Sequence, residues 1–276
     1  MTKTQKLLLI VFLILLGLGF VLFILYRPDL EEVKTNKGRE YKSYPYTKID
    51  EFFPANTANQ IVRYTNINLA YDEGSEQAVW VCYLLTKNHL ETPVCKRSNR
   101  FKSDPNIYSE SASPKDYYKT GYDRGHLAPA ADMLWDKNAM QESFYMSNMS
   151  PQKPGFNRGA WKKLEGRVRN TAMIEDSIII ITGPLFLDTI ESIGKNGVLV
   201  PSHYYKAIID ISSPQLGGLA FIMPNRNTKL PLDKFVVTID SLERVSGLNL
   251  MEPLPDDLER QIESTVDADL MGLIKR

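Results

Sequence analysis

Cysteine and histidine are both scarce. Two cysteines, Cys82 and Cys95, and three histidines, His89, His126 and His203, occur in 276 residues. The cysteines form no Cys-x-x-Cys pair, and neither His89 nor His203 has a Cys or His neighbour at zinc-ligand spacing, which argues against a structural zinc module. His89 lies in a polar, turn-like stretch and His203 just before an apolar strand, so both read as surface or packing residues. Net charge is missing too: 33 basic residues balance 33 acidic ones. That balance lacks the footprint of a strongly basic nucleic-acid binder. The chain has no internal repeat, no low-complexity tract, and no dense Asp/Glu cluster of the kind a two-metal hydrolytic centre uses.

What is present begins with an apolar run. Residues 7–26 carry no charge, and about 20 such residues span a hydrocarbon core of about 30 Å as a helix. The run ends in Leu-Tyr-Arg-Pro with no small-residue cleavage site, so it reads as an uncleaved anchor rather than a removed signal. Lys3 and Lys6 flank one side; Arg27, Lys34, Lys37 and Arg39, mixed with Asp29, Glu31 and Glu32, flank the other. That count does not set the orientation. The expected organisation is a cytoplasmic N-terminus at 1–6, an anchor at 7–26, a charged stalk at 27–45 and one folded domain at 46–276.

Within the domain, strand patterns appear at 60–69, 78–86, 177–183, 197–200, 205–211, 218–223 and 234–240, and helix patterns at 137–143, 157–173 and 255–274. Pro105, Ser109, Ser111, Ser113 and Pro114 make 104–119 read as an exposed loop. Without regular βαβ alternation, this is an α+β chain with a mainly antiparallel sheet. Neighbouring strands could bring Cys82 and Cys95 within disulfide reach; two unconnected thiols is the alternative. Charge is uneven: residues 96–169 hold 14 Lys/Arg against 8 Asp/Glu, and residues 251–276 hold 7 Asp/Glu against 3 Lys/Arg.

Two clusters carry chemistry. The first is Tyr122-Asp-Arg-Gly-His-Leu-Ala-Pro-Ala-Ala-Asp132. A histidine can take a proton near neutral pH, an arginine can grip a phosphate through paired hydrogen bonds, and Gly125 lets the chain approach closely. The second runs from Asn148 through Pro151-Gln152 to Asn157, Trp161 and Glu165. The last three lie four residues apart, along one stripe of a helix at about 100° per residue. A purely structural account has Asn157 capping the helix, Trp161 packing, and Glu165 solvated or paired with Arg169. Against it, an amide oxygen and a carboxylate on one face are hard donors of the kind magnesium takes.

In this order the clusters resemble the DNA/RNA non-specific endonucleases of the ββα-metal fold. Ile181-Thr-Gly-Pro184, Val200-Pro-Ser-His-Tyr-Tyr-Lys206 and Ala220-Phe-Ile-Met-Pro-Asn225 resemble later segments, so the match covers about residues 45–255. The core motifs depart nowhere from the family pattern.

The resemblance implies a ββα-metal nuclease fold with a central, mainly antiparallel sheet. It assigns His126 as general base, Asn157 as the direct Mg²⁺ ligand and Glu165 as the acid holding the metal's water shell. It makes Asn148 an amide near the scissile phosphate, Arg124 a support for the site and its phosphate, and Asp123 an organiser. An upstream arginine that steadies phosphate charge is Arg97 or Arg100. Mn²⁺ is a substitute metal, the products carry 5′-phosphates, DNA and RNA are the substrates, and a homodimer is compatible with the chain. An enzyme indifferent to sequence belongs away from the genome, so the expected site is the periplasm or cell exterior of an envelope, with the mitochondrial inner membrane as the alternative. A catalytically silent nucleic-acid-binding envelope protein and a small-molecule phosphodiesterase are the competing functions.

Overall fold

The computed structural model describes residues 49–55, 60–188, 191–212 and 216–275. The expected anchor at 7–26, the segment before it and the stalk lie outside the described residues. Among the described helices none is long and apolar enough to cross a membrane.

The domain is built on a seven-stranded antiparallel sheet. In chain order its strands are β1 (Gln60–Arg63), β2 (Ile67–Asp72), β3 (Gln77–Thr86), β6 (Ser177–Leu185), β9 (His203–Asp210), β10 (Gly217–Pro224) and β11 (Val236–Val237), and they neighbour one another in that same order. Side chains alternate across a strand, so a continuous apolar run feeds two faces at once. Ile178-Ile179-Ile180-Ile181 does this: Ile178 and Ile180 join one buried core, Ile179 and Ile181 the other. Both faces of the sheet are therefore covered.

The face holding Ile178 and Ile180 carries the functional elements. β4 (Asp123–His126) pairs antiparallel with β5 (Met149–Gln152), with Asp123 opposite Gln152 and His126 opposite Met149, and a separate hairpin pairs β7 (Glu191–Ile193) with β8 (Val198–Val200). After β5 come a π-helical turn (Phe156–Trp161) and the helix α3 (Lys162–Glu175). Trp161, Leu164, Val168 and Ala172 bury against the sheet. Two short helices precede α3: α1 (Lys87–Glu91), capped by the Thr86 hydroxyl, and α2 (Lys137–Glu142), capped by Asp136. The opposite face is covered by α4 (Ile239–Ser246) and α5 (Asp256–Glu263). The last helix, α6 (Ala268–Lys275), returns to the first face through Leu270 and Ile274.

Several expectations are corrected. The 60–69 run splits into β1 and β2 because Tyr64–Asn66 turns back, with Tyr64 N–H donating to Ile67 O at 2.8 Å. The 234–240 run yields only the two residues of β11, since the Thr238 hydroxyl accepts from Ser241 N–H and starts α4. The 255–274 stretch is two helices, the second capped by Asp267 Oδ1 on Asp269 and Leu270 N–H. The 104–119 segment is irregular but not simply exposed: Asp104, Ile107, Ser111, Ala112, Asp116 and Tyr117 are buried. Cys82 and Cys95 are free. Cys82 belongs to one face of the sheet and Cys95 packs against the core of the other, so the sheet separates them.

Candidate active site

The motif glycine is needed for close approach within a strand. A Cβ at Gly125 would stand 2.2 Å from the Gln152 side chain on β5. Without it, β4 and β5 close and bring the next residue, His126, to the rim of a cleft of about 430 Å³. Arg97, Arg124, Asn157 and Glu165 line the same cleft.

His126 is held by aromatic edges. Phe144 and Phe101 meet its ring at 4.9 and 5.7 Å. Its Nε2 is buried with no hydrogen-bond partner among the described residues. Burial, then the Arg97 and Arg124 charges, push it down to about 3. The imidazole is therefore neutral at physiological pH, the form that accepts a proton.

Asn148 lies on the segment that leads into β5. It is buried; its Oδ1 accepts from Ala128 N–H at 2.9 Å, and its Nδ2 donates to Ala128 O at 3.0 Å and Ser143 O at 2.9 Å. With that carboxamide already engaged, Asn148 fixes the backbone just after His126 and positions it.

Asn157 does not cap a helix. It lies inside the π-turn, and its Nδ2 donates to Asp123 Oδ2 at 2.9 Å. Asp123 also accepts from Arg158, Nε at 2.8 Å and Nη2 at 2.6 Å. A carboxylate only accepts, so this bond fixes which way the amide faces and leaves Asn157 Oδ1 free of partners among the described residues. Such π-turns widen a helix locally and recur at functional sites. Gly159 departs from helical geometry inside this one (φ −106°, ψ −109°).

Glu165, two turns along, makes no hydrogen bond among the described residues. Burial raises its carboxyl, and the Lys206 ammonium opposes that rise. Arg169 is not its partner: Arg169 pairs with Asp132 at 2.8 Å, whose other oxygen accepts from Tyr83 Oη at 2.8 Å. Lys206, on β9, is fully buried, 3.5 Å from Leu127 O and 4.9 Å from the Trp161 ring. Burial lowers its ammonium and Glu165 opposes the fall. Sequence reasoning gave it no role. The available signal was a lysine amid Tyr204-Tyr205 and Ala207-Ile208-Ile209, where only a paired charge is tolerated.

Of the two upstream arginines, Arg97 lines the cleft, lying over the Phe144 ring at 5.0 Å. Arg100 lines a separate basic cavity of about 710 Å³, with Lys96, Lys102 and Lys137, which Arg97 also borders. Arg124 is exposed over Phe101 at 4.1 Å. His89 stacks on Trp135 at 4.0 Å and His203 contacts Ser202, as packing residues do.

The donor set fits a hard divalent cation. Asn157 Oδ1 is oriented and unpartnered, and Glu165 is a carboxylate with no ion pair within 4.0 Å among the described residues. Eight residues of helix rise about 12 Å, so one ion bound directly by Asn157 would meet Glu165 through water. Magnesium coordination of this kind retains several waters.

Known proteins are similar to this chain in sequence. The chain is 37% identical over 194 residues to human "Endonuclease G, mitochondrial", covering 65% of this chain and 65% of that protein. It is 36% identical over 220 residues to Nuclease C1 of Cunninghamella echinulata var. echinulata, covering 74% of this chain and 87% of that one. Mouse "Nuclease EXOG, mitochondrial" is 32% identical over 266 residues, covering 90% and 71%. The crystal structure of the EndoG/EndoGI complex superposes with a TM-score of 0.73 at 31% identity, covering 80% of this chain and 94% of that chain. Residues 48–257 match the DNA/RNA non-specific endonuclease family, and the chain belongs to it.

Proposed function

We propose that the chain is an endonuclease that hydrolyses phosphodiester bonds in both DNA and RNA with a divalent metal, magnesium or its substitute manganese, held at Asn157. The observation that carries this reading is a neutral, buried His126 sharing one cleft with Asn157, Glu165, Arg97 and Arg124. Family membership supports it.

His126 takes a proton from the attacking water, which needs the imidazole neutral and within hydrogen-bond reach. Arg97 and Arg124 bind non-bridging phosphate oxygens and meet the charge that grows there in the transition state. Asp123 holds the Asn157 amide with its oxygen available, and Glu165 orders water beside it. A bound Mg²⁺ would supply Lewis acidity at the phosphate and a proton source for the departing 3′-oxygen. The cleft contacts proposed here are to phosphate, which DNA and RNA share, so the sugar has little leverage on choice.

We propose further that residues 7–26 anchor the enzyme in a membrane. The exported envelope protein was the first expectation. The human and mouse relatives are mitochondrial nucleases, which favours the inner-membrane alternative. Alkaline extraction of membranes, with and without deletion of 7–26, tests the anchor.

The activity test is cleavage of supercoiled plasmid and of RNA by the full-length chain, with Mg²⁺, with EDTA, and with His126→Ala in parallel. Metal-dependent cutting that His126→Ala abolishes is the expected result. A folded chain that binds both nucleic acids and cuts neither under any divalent metal would hand the fold to the silent-binder reading.

A further inference from the structure

The acidic C-terminal stretch takes no part in the cleft. On the opposite face of the sheet, α4 and α5 pack side by side through Ile239, Leu242, Leu258 and Ile262. Asp240 and Glu243 on α4 and Glu263 on α5 each present a carboxylate oxygen, all within 4.8 Å of one another. Glu263 is only 5% exposed; its side chain hydrogen-bonds to Glu243, and its Oε1 has no hydrogen-bond partner among the described residues. Glu243 also accepts from Leu250 N–H at 2.6 Å, which ties it to the loop between the two helices. Glu259 adds a fourth carboxylate to the field. The local arginines are turned to other acceptors: Arg260 to Asp256 at 3.8 Å and Arg244 to Ser241 at 2.8 Å. Burial first, then the neighbouring carboxylates, push Glu263 up to about 8.

Asp240 and Glu243 are half-buried and Glu263 is buried; like charges gathered around a buried carboxylate are relieved by protons or by a cation. We propose that Asp240, Glu243 and Glu263 bind a hard divalent cation of the calcium class, which clamps α4 to α5. All donors are oxygen, which suits calcium and magnesium and not the softer transition metals. Metal–oxygen bonds of about 2.3–2.6 Å bridge oxygens at this spacing, and calcium accepts several carboxylates where magnesium keeps its water. The site is independent of the catalytic reading.

The test uses the full-length Asn157→Ala chain, which removes the donor proposed for the other metal. Calcium and magnesium chloride are titrated by calorimetry and by thermal melting. Expected is one Ca²⁺ per chain with a Tm rise of about 5 °C or more at saturation, and weaker binding of Mg²⁺. Glu263→Gln or, separately, Asp240→Asn in that background should weaken calcium at least tenfold. Without calcium, each should melt no lower than its parent, because a like charge has gone. The proposal is overturned if calcium leaves the Tm unchanged while lowering pH from 8 to 6 raises it, since the carboxyls then share a proton instead. It is equally overturned if calcium stabilises the parent and both variants alike.

Discussion

Asp123 accepts hydrogen bonds from both Asn157 and Arg158, so the first residue of the Asp-Arg-Gly-His run orients the amide that follows it by 34 positions. Removing such a support leaves the donor present but unaimed. Asp123→Ala should therefore raise the Mg²⁺ concentration for half-maximal activity by about 10- to 100-fold, with a smaller rise for Arg158→Ala, because Arg158 does not touch the proposed metal donor. Activity measured against MgCl₂ reads this directly. Unchanged metal dependence in Asp123→Ala would remove Asn157 from the metal.

His126 makes a pH prediction. Its folded value is pushed down to about 3 by burial and by Arg97 and Arg124. The acid limb of kcat/KM should then lie well below 6.5, the ordinary histidine value. Arg97→Ala removes one of the opposing charges, so in the residual activity of that variant the limb should move up towards neutrality. Stability follows the same sign. A depressed folded value means stabilisation is fully present above about 6.5 and is lost as pH falls from there towards 3. His126→Phe, which cannot titrate, should flatten that part of the Tm–pH curve. An acid limb at 6.5 in the wild type would exclude His126 as the base in this environment.

The motif residues were legible because each is chemically distinctive and close in sequence to another. Their wiring was not. Asn157 looked like a cap by type, yet the helical turns start earlier, at Pro154, and the amide serves Asp123 instead. The hydrogen bonds of the Asn148 carboxamide to Ala128 and Ser143 are visible only in the fold. The strands were legible from their apolar runs. The break between α5 and α6 was missed because Asp267 caps from within a stretch of continuing helical periodicity. Lys206 was missed because strand patterning treats a lysine as outward-facing, whereas this one points into a charge network that is assembled from three distant segments.

Gly125 and Gln152 test the packing beneath the site. An alanine Cβ at 125 would meet Gln152 Cδ and Oε1 at 2.2 Å, in a side chain that is fully buried. Gly125→Ala should destabilise by about 1–3 kcal/mol and lower activity by displacing His126. Both polar atoms of the Gln152 amide lack hydrogen-bond partners among the described residues, so adding Gln152→Ala should recover part of the stability. Melting of the single and double variants decides it; a Gly125→Ala chain as stable and active as wild type would mean the strands separate at no cost.

The buried Lys206 ammonium opposes the burial-driven rise of the Glu165 carboxyl. Lys206→Met takes that charge away, which lifts the Glu165 carboxyl further and leaves more of it protonated at pH 7. Activity should fall at pH 7 and recover partly as pH rises towards 9, whereas a variant damaged only in packing would lose the same fraction at every pH. The ratio of variant to wild-type kcat/KM across pH separates the two.

Arg97 and Arg100 divide the upstream basic segment. Arg97 borders both the cleft and the larger basic cavity; Arg100, with Lys96, Lys102 and Lys137, borders only the latter. A guanidinium beside the reacting phosphate acts on the transition state, whereas one further along the strand contributes to binding through released counterions. Arg97→Ala should therefore lower kcat by about 10²-fold or more. Arg100→Ala should leave kcat nearly intact, raise KM, and reduce the slope of log(kcat/KM) against log salt by about 1. A large kcat loss in Arg100→Ala with little in Arg97→Ala would reverse the assignment and place the reacting phosphate over the second cavity.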